Sequence, residues 1–218
     1  SENDTILVAA GTYTENIIWP VTNGIKLLGE DREITIIDGN QSGSVIRFEE
    51  GLDGIIDNST ELKGFTIQNG LLGGPWEQNI PIFYGGGIYL YDSHPKIEDI
   101  TITGSSVFHS GGGIYFNYSS PSLENVTISG NSATGGYGNG GGIYFNYSNP
   151  SLNNVHIIDN FANYADGESG GIFCKFSSPV LTNVAIFRNS SGIHNESSSP
   201  FLTNVTISDN YGTGIFMS

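Results

Sequence analysis

Apolar and polar residues alternate in short runs along most of the chain. In the run SLENVTI at 122–128, Val126 and Ile128 fall on one face of an extended strand and Thr127 falls on the other. Such runs are rich in β-branched and aromatic residues, and Gly, Ser, Asn and Pro separate them. An amphipathic helix does not have this period, so the pattern predicts short β-strands joined by tight turns.

The strand-forming runs recur with a nearly constant spacing. Between residues 85 and 218, Gly-Ile steps place an isoleucine at six positions, and the spacings between them are 26, 29, 29, 21 and 22 residues. Seven residues after each of the first five isoleucines the chain has a proline, and an apolar run with a central Asn or Asp follows it. The unit is therefore about 21–22 residues long, and insertions produce the wider spacings. The isoleucines are Ile88, Ile114, Ile143, Ile172, Ile193 and Ile215.

A unit of this length cannot bury its apolar face alone, so successive units must stack. Coils of three short strands with tight turns describe a parallel β-helix, an all-β solenoid. We expect about eight or nine coils of about 22 residues in a single domain over residues 1–218. Residues 1–84 form irregular N-terminal coils, and residues 85–218 form the regular Gly-Gly-x-Ile repeats.

Equivalent residues of successive coils lie about 4.8 Å apart in such a stack, so identical side chains form ladders. An Asn at a buried bend can bond to the amide of the next coil. We therefore expect a structural ladder inside the fold, where the N-x-T triplets at Asn125 and Asn204 could not carry a glycan. The ladder residues are Asp99, Asn125, Asn154, Asn183 and Asn204.

Strand-forming runs reach both ends of the chain, from Thr5–Val8 to GIFMS at 214–218. An uncovered strand end is a template for further pairing, and solenoids normally cap it. We expect an open-ended solenoid that is either a fragment of a longer protein or stacked on another molecule.

Several motifs resemble a known superfold. The stretch DTILVAAGTYTENI at 4–17, with IKLLGE at 25–30 and TIIDGN at 35–40, resembles the opening of secreted right-handed parallel β-helix proteins of the pectate-lyase-like superfold. The GGGI steps, with ISGN at 128–131 and ISDN at 207–210, resemble the GGA[ILV]/FxxN repeats of bacterial polymorphic outer-membrane and adhesin-like proteins, with Ile in place of the usual Phe. The resemblance implies a right-handed helix and a secreted or surface-exposed bacterial protein. It specifies no activity, because this fold carries lyases, hydrolases, esterases and non-catalytic surface proteins.

The charge of the chain narrows the function further. Seven Lys and Arg against 22 Asp and Glu give a net charge of −15, which disfavours a nucleic acid partner. Cys174 is the single cysteine, so a disulfide framework is excluded. No apolar stretch reaches the roughly 20 residues of a membrane span, and no motif requires a cofactor.

Tyrosines form the first candidate binding site. The second and fourth positions of the strands after Gly-Ile should point outward, and the second position is repeatedly aromatic. The insertions at 103–110, 130–140 and 159–170 lie beside this face and add further tyrosines. An aromatic platform flanked by Asn and Ser suits sugar rings, although tyrosine stacking for stability alone explains the same pattern. The candidates are Tyr89, Tyr91, Tyr115, Tyr144, Tyr137 and Tyr164.

Two further sets of residues carry candidate chemistry. Lys175, His194 and Glu196 should lie together on the same outer face, as a base and an acid beside the aromatic column, or simply as one charge pair on a solvated strand. Asp159, Asp166 and Glu168 offer oxygen ligands for Ca²⁺, but their spacing matches no tight calcium loop, and a chance acidic loop is the favoured explanation.

Three functions are consistent with these residues. The first is an extracellular or cell-surface solenoid that presents a rigid face to a polysaccharide or a cell-surface partner, as an adhesin or part of a filament does. The second is a polysaccharide lyase or another carbohydrate-active enzyme, which requires a cleft with clustered titratable groups. The third is a structural subunit that associates end to end. We favour the first.

Overall fold

The computed structural model describes residues 2–49, 56–73, 84–135, 138–163 and 169–218, and these form an all-β solenoid. Their strands are β1 (Thr5–Val8), β2 (Gly11–Thr14), β3 (Ile17–Ile18), β4 (Lys26–Gly29), β5 (Thr35–Asp38), β6 (Ile46–Glu49), β7 (Glu61–Gln68), β8 (Leu71–Leu72), β9 (Ile88–Tyr91), β10 (Lys96–Thr103), β11 (Ser106–Val107), β12 (Ile114–Asn117), β13 (Ser122–Ser129), β14 (Ser132–Ala133), β15 (Ile143–Asn146), β16 (Ser151–Ile158), β17 (Phe161–Ala162), β18 (Ile172–Lys175), β19 (Val180–Phe187), β20 (Ile193–Glu196), β21 (Phe201–Ser208) and β22 (Ile215–Met217). Among the described residues, no helix is long and apolar enough to span a membrane.

The described strands form three parallel sheets, of which sheets 1 and 2 run through all eight coils and sheet 3 is shorter. Sheet 1 has the order β1-β4-β7-β10-β13-β16-β19-β21, with β5 paired to β2 and β7. Sheet 2 has the order β3-β6-β9-β12-β15-β18-β20-β22, and sheet 3 the order β8-β11-β14-β17. The described strands make eight coils, and each coil runs from a strand of sheet 1 to a strand of sheet 2. In the four middle coils, a short strand of sheet 3 lies between these two strands in the chain. The predicted parallel β-helix is confirmed.

The core lies between the sheets and is built from the repeat. The isoleucine of each Gly-Ile step and the residue two positions later are at most 2% exposed in the five coils from Ile88 to Ile193. The parallel register places like on like, as Ile114 on Ile143 and Phe116 on Phe145. The inward orientation predicted for these positions is therefore confirmed. Cys174 belongs to this column, and burial raises the pKa of its thiol.

The predicted ladder from Asp99 to Asn204 exists, but it lies on the surface. These residues adopt left-handed backbone angles, with φ between 51° and 56°, and bend the long strands of sheet 1. The Asn204 amide donates to Asn183 Oδ1 at 2.6 Å, and Asn125 donates in the same way to Asp99. Asn154, Asn183 and Asn204 are exposed. The expectation of an internal position is wrong, and burial does not exclude a glycan at Asn204.

A different asparagine column forms the internal ladder. Asn131, Asn160 and Asn189 are at most 1% exposed and follow the ends of the sheet 1 strands. The Asn131 backbone N–H donates to Asn160 Oδ1 at 3.0 Å, and the Asn160 backbone N–H donates to Asn189 Oδ1 at 2.9 Å. The side-chain amides donate in turn to strand carbonyls, as Asn131 does to Ile102 at 3.0 Å. This column therefore supplies hydrogen-bond partners to buried backbone N–H and C=O groups at the turns.

Candidate functional site

The tyrosines predicted as an exposed platform form a buried aromatic stack on sheet 2. Tyr89 and Tyr115 are each 7% exposed, and their rings are parallel within 3° at a centroid distance of 5.7 Å. Tyr144 continues the stack at 5.2 Å from Tyr115. Burial raises the pKa of Tyr89 to about 12. The expectation that this column is open to a ligand is wrong.

A glycine turn explains why the stack is closed. Gly111 lies just before β12 with φ 72°, and a Cβ there would lie 2.7 Å from the Cβ of Tyr115. The chain therefore passes directly over the tyrosine, and only glycine permits this approach. Tyr84 adds a further cover, because its ring stacks on Tyr115 at 4.5 Å.

Lys175 and Glu196 lie together in the structure, whereas His194 packs apart from them in the buried aromatic stack. Lys175 Nζ lies 2.7 Å from Glu196 Oε1, and both side chains are about one-third exposed, at 34% and 36%. His194 is 4% exposed and belongs to the buried stack, with its ring 4.6 Å from Phe173 and 4.7 Å from Phe216. Lys175 and Glu196 therefore form an ion pair on the outer face, and His194 takes no part in it.

The remaining sequence candidates are placed only in part. Tyr137, Tyr164, Asp166 and Glu168 lie outside the described residues. Tyr91 is half-buried at the end of β9.

The third calcium candidate, Asp159, is described and holds an ion pair. It accepts two hydrogen bonds from Arg188, at 2.8 and 2.7 Å, and they lower the pKa of its carboxyl. Within the described ranges, no group of three His, Cys, Asp or Glu side chains is arranged to hold a metal ion.

An exposed row of aromatic rings lies one position beyond the predicted columns, in the turns from sheet 2 to sheet 1. We call Tyr118, Tyr147 and Phe176 the aromatic strip. Their exposed fractions are 50%, 46% and 42%. The Tyr118 and Tyr147 rings are parallel within 8° at a centroid distance of 5.1 Å, and the ring of Phe176 follows at 4.8 Å.

The aromatic strip is held in an unfavourable backbone conformation. The φ angles of Tyr118, Tyr147 and Phe176 are 51°, 47° and 48°, in the left-handed region. For a residue with a Cβ this region costs about 1–2 kcal/mol, and a bulky side chain there is an outlier. Asp92 occupies the same position in the preceding turn, with φ 49°. Since Gly, Asn or Asp fits this turn at lower cost, three aromatic residues in a row point to a role for the rings.

A buried row of serines fixes the turns beneath the aromatic strip. The Ser119 backbone N–H donates to Ser148 Oγ at 3.0 Å, and the Ser148 backbone N–H donates to Ser177 Oγ at the same distance. Each hydroxyl donates to a carbonyl two residues earlier, as Ser148 does to Asn146 at 2.7 Å. The rings are therefore presented by a turn whose polar groups are already satisfied, which favours a rigid surface.

A polar groove lies in the same turns, two residues further along the chain. We call it the turn groove; its volume is about 430 Å³, and Asp57, His94, Ser120 and Asn149 are among its lining residues. The Ser120 backbone N–H donates to His94 Nδ1 at 2.9 Å, and the Asn149 backbone N–H donates to Ser120 Oγ at 3.0 Å. Hydrogen bonds from Ser59 hold the pKa of Asp57 below its usual value. The groove therefore presents one ionised carboxylate among hydroxyl, amide and imidazole groups.

A second cavity lies on sheet 1, where the insertion at 30–34 crosses the bent strands. We call it the charged pocket; its volume is about 280 Å³, and Asp31, Arg32, Lys63 and Asp99 are among its lining residues. Arg32 Nη1 donates to the carbonyl of Asn125 at 2.9 Å, and Lys63 Nζ lies 3.3 Å from Asp99 Oδ2. The pocket thus combines three carboxylates, those of Glu30, Asp31 and Asp99, with two cations.

Sequence reasoning missed the aromatic strip, although a signal for it exists. The segment IYFNYS occurs at 114–119 and again at 143–148, so the second tyrosine repeats as faithfully as the first. Strand alternation predicts side-chain orientation only as far as Asn117, where β12 ends. The left-handed angle that turns this ring outward leaves no pattern in the sequence.

Comparisons with known proteins agree with this architecture. Residues 51–218 match the family model described as "Right handed beta helix region". No curated protein sequence matches the chain.

Among solved structures, a pectin methylesterase in complex with a hexasaccharide is similar over 89% of this chain, with a TM-score of 0.51 and 16% identity. The chain spans 62% of the length of that enzyme. A pectin methylesterase from Yersinia enterocolitica is similar over 99% of this chain and 91% of its own, with a TM-score of 0.50 and 12% identity. These similarities concern the fold.

Proposed function

The chain belongs to the right-handed β-helix family, and from that premise we propose that it binds carbohydrate through the aromatic strip and the turn groove. Members of such a fold share a scaffold, so the function has to be argued from the outer surface. We further propose that the protein is secreted or held at a cell surface, where polysaccharides are presented.

The exposed row of strained aromatic rings carries this proposal. Aromatic rings bind the C–H faces of sugars by apolar contact, and neighbouring hydroxyl and amide groups fix the orientation by hydrogen bonds. The aromatic strip supplies the rings, and Ser120 and Asn149 of the turn groove supply the polar groups. A pectin methylesterase of similar fold forms a complex with a hexasaccharide, which supports the proposal.

Retention on polysaccharides tests the proposal. We expect the purified protein to be slowed in affinity electrophoresis through gels containing one or more polysaccharides. The double variant Tyr118→Ala/Tyr147→Ala should lose at least about tenfold in affinity, which corresponds to about 1.4 kcal/mol. Tyr211→Ala is the matched control, because Tyr211 is an exposed tyrosine outside the strip, with 87% of its surface accessible. Equal retention of the double variant and the native protein would refute the assignment.

The charged pocket favours a second function, that of a carbohydrate-active enzyme. Asp31 and Asp99 flanked by Arg32 and Lys63 form the kind of cluster that acid–base chemistry requires. An assay on pectin and polygalacturonate, with release of methanol and of unsaturated uronate as readouts, tests this activity. Turnover by the native protein that disappears in Asp99→Asn would support the enzymatic function. If the native protein turns over neither pectin nor polygalacturonate, this function is refuted.

A further inference from the structure

We infer that the ligand is a neutral polysaccharide chain that lies parallel to the solenoid axis on the aromatic strip, with one sugar residue on each ring. The inference rests on the proposed carbohydrate binding and adds the charge, direction and register of the ligand. Four features of the surface support it.

The first feature is the spacing of the rings. Successive rings of the aromatic strip are 5.1 and 4.8 Å apart along the axis. This spacing is the distance between parallel strands, about 4.8 Å, and the whole surface therefore repeats with it. An extended chain of β-1,4-linked sugars advances by a similar distance per residue. A chain that runs along the axis meets the same surroundings at each sugar, and a chain that crosses the axis does not.

The second feature is the offset of the rings. Stacked carbon atoms are in contact at about 3.5–4.0 Å, and parallel rings at larger centroid distances must be displaced sideways. The rings of Tyr118 and Tyr147 are parallel within 8° at a centroid distance of 5.1 Å, so they form an offset stack in which they overlap only in part. Each ring leaves part of one face uncovered, which agrees with the exposed fractions of 50% and 46%. These uncovered faces accept sugar C–H groups.

The third feature is a polar row on each side of the aromatic strip. On the sheet 2 side, Asn146 Nδ2 donates to Asn117 Oδ1 at 2.7 Å, so an amide accompanies each tyrosine. On the sheet 1 side, Ser120 and Asn149 occupy equivalent positions of successive turns. Hydroxyl groups on both edges of a sugar chain therefore find neutral polar partners at Tyr118 and Tyr147, and Lys175 takes the place of the amide beside Phe176.

The fourth feature is the charge around the aromatic strip. The protein has a net charge of −15, which repels a polyuronate. Lys175 has its Nζ 5.6 Å from the Phe176 ring centroid and is paired with Glu196. Amides and hydroxyls flank Tyr118 and Tyr147, and the carboxylate of Asp92 lies in the turn before Tyr118. This environment favours a chain without charge over a polyanion.

A chain-length series tests the inference. Isothermal titration would use oligomers of one to six units from three neutral series, the β-1,4-linked glucans, mannans and xylans. In at least one series we expect the affinity to rise by about tenfold per added sugar up to three units, one for each ring, and to change little beyond that length. Phe176→Ala should move this limit from three units to two, and Tyr211→Ala should leave the whole series unchanged.

The outcomes separate the inference from the proposed function. If gel retention shows binding to some polysaccharide but no neutral series gains affinity with length, carbohydrate binding stands and the axial chain is refuted. Oligogalacturonates or glucosamine oligomers that bind as tightly as the neutral series would refute the neutral ligand. If no polysaccharide retains the protein, the proposed function itself fails.

Discussion

Replacement of Asn160 by Ala is the most direct test of the internal ladder. The Asn160 side chain is 1% exposed and makes four hydrogen bonds with its neighbours. Its Oδ1 accepts from the backbone and side-chain N–H groups of Asn131, at 3.0 and 3.1 Å. Its Nδ2 donates to the carbonyl of Ile128 at 2.9 Å and to Asn189 at 3.0 Å. Alanine removes all of these bonds.

The expected loss follows from the groups left without partners. The Asn131 backbone N–H and the Ile128 carbonyl lose their side-chain partner in a region closed to water. A buried polar group without a partner costs about 1–3 kcal/mol. We therefore expect Asn160→Ala to lower the free energy of unfolding by about 2–6 kcal/mol. Since natural domains are stable by roughly 5–15 kcal/mol, the variant should be severely destabilised.

Denaturant unfolding followed by circular dichroism measures this loss, and hydrogen exchange locates it. Because coils of a solenoid can open separately, exchange should rise first at the Asn131 and Asn160 turns. Asn154→Gly is the matched control, because Asn154 belongs to the same coil, is exposed, and has a φ of 56° that glycine adopts freely. It should change stability by less than about 1 kcal/mol. If Asn160→Ala is no more destabilising than this control, the account of the internal ladder is wrong.

Three further changes follow from the structure. Tyr147→Asn should weaken strip binding by about tenfold in affinity electrophoresis. It should lower the melting temperature by no more than about 4 °C, because the loss of ring contacts is offset by a residue suited to the left-handed region. A larger drop would mean that the rings serve stability. Gly111→Ala should lower the melting temperature far more than Gly130→Ala, since the new Cβ meets Tyr115 at 2.7 Å in the first case and Thr103 at 3.8 Å in the second; equal losses would contradict the close approach. Lys63 and Lys96 lower the pKa of Glu98 below its usual 4.5, so its stabilising contribution is present above that pH and is lost as the pH falls through the lowered value. Chemical unfolding at pH 7 and pH 3 should show a smaller acid loss for Glu98→Gln than for the native chain, and an unchanged loss would refute this contribution.

The repeat alone predicts the scaffold, because stacking requires every coil to bury equivalent positions. Ile114 and Phe116 occupy the predicted inner column, and the parallel register follows from the same spacing. The ladder from Asp99 to Asn204 lies on the surface, and not inside the fold as its sequence pattern predicts, for a physical reason. Alternation fails at a left-handed bend, so Glu124 and Asn125 both lie on the outer side, and two asparagine columns with the same period cannot be ranked by sequence.

The site was less predictable because it depends on what packs over each sheet. Alternation placed Tyr115 on the outer side of sheet 2 correctly, but nothing in the strand shows that the turn at Gly111 and the ring of Tyr84 cover it. Tyr118 is exposed only because its backbone adopts a φ of 51°. Both outcomes come from turn geometry, which hydrophobic alternation does not encode.

The direction of the hydrogen bonds in the internal ladders has a consequence for synthesis of the chain. The Asn131 backbone N–H donates to Asn160 and the Ser119 backbone N–H donates to Ser148, each 29 residues further on, and the Asn189 N–H donates to Asn210, 21 residues further on. Each of these turns is therefore completed by a side chain of the next coil. A nascent chain that leaves the ribosome therefore always carries one unfinished turn at its growing end. Folding can follow translation coil by coil, since each step needs only the next segment and no distant partner. A ribosome that stalls within a coil would leave the turn amides of the preceding coil as the point where a protease or a chaperone engages.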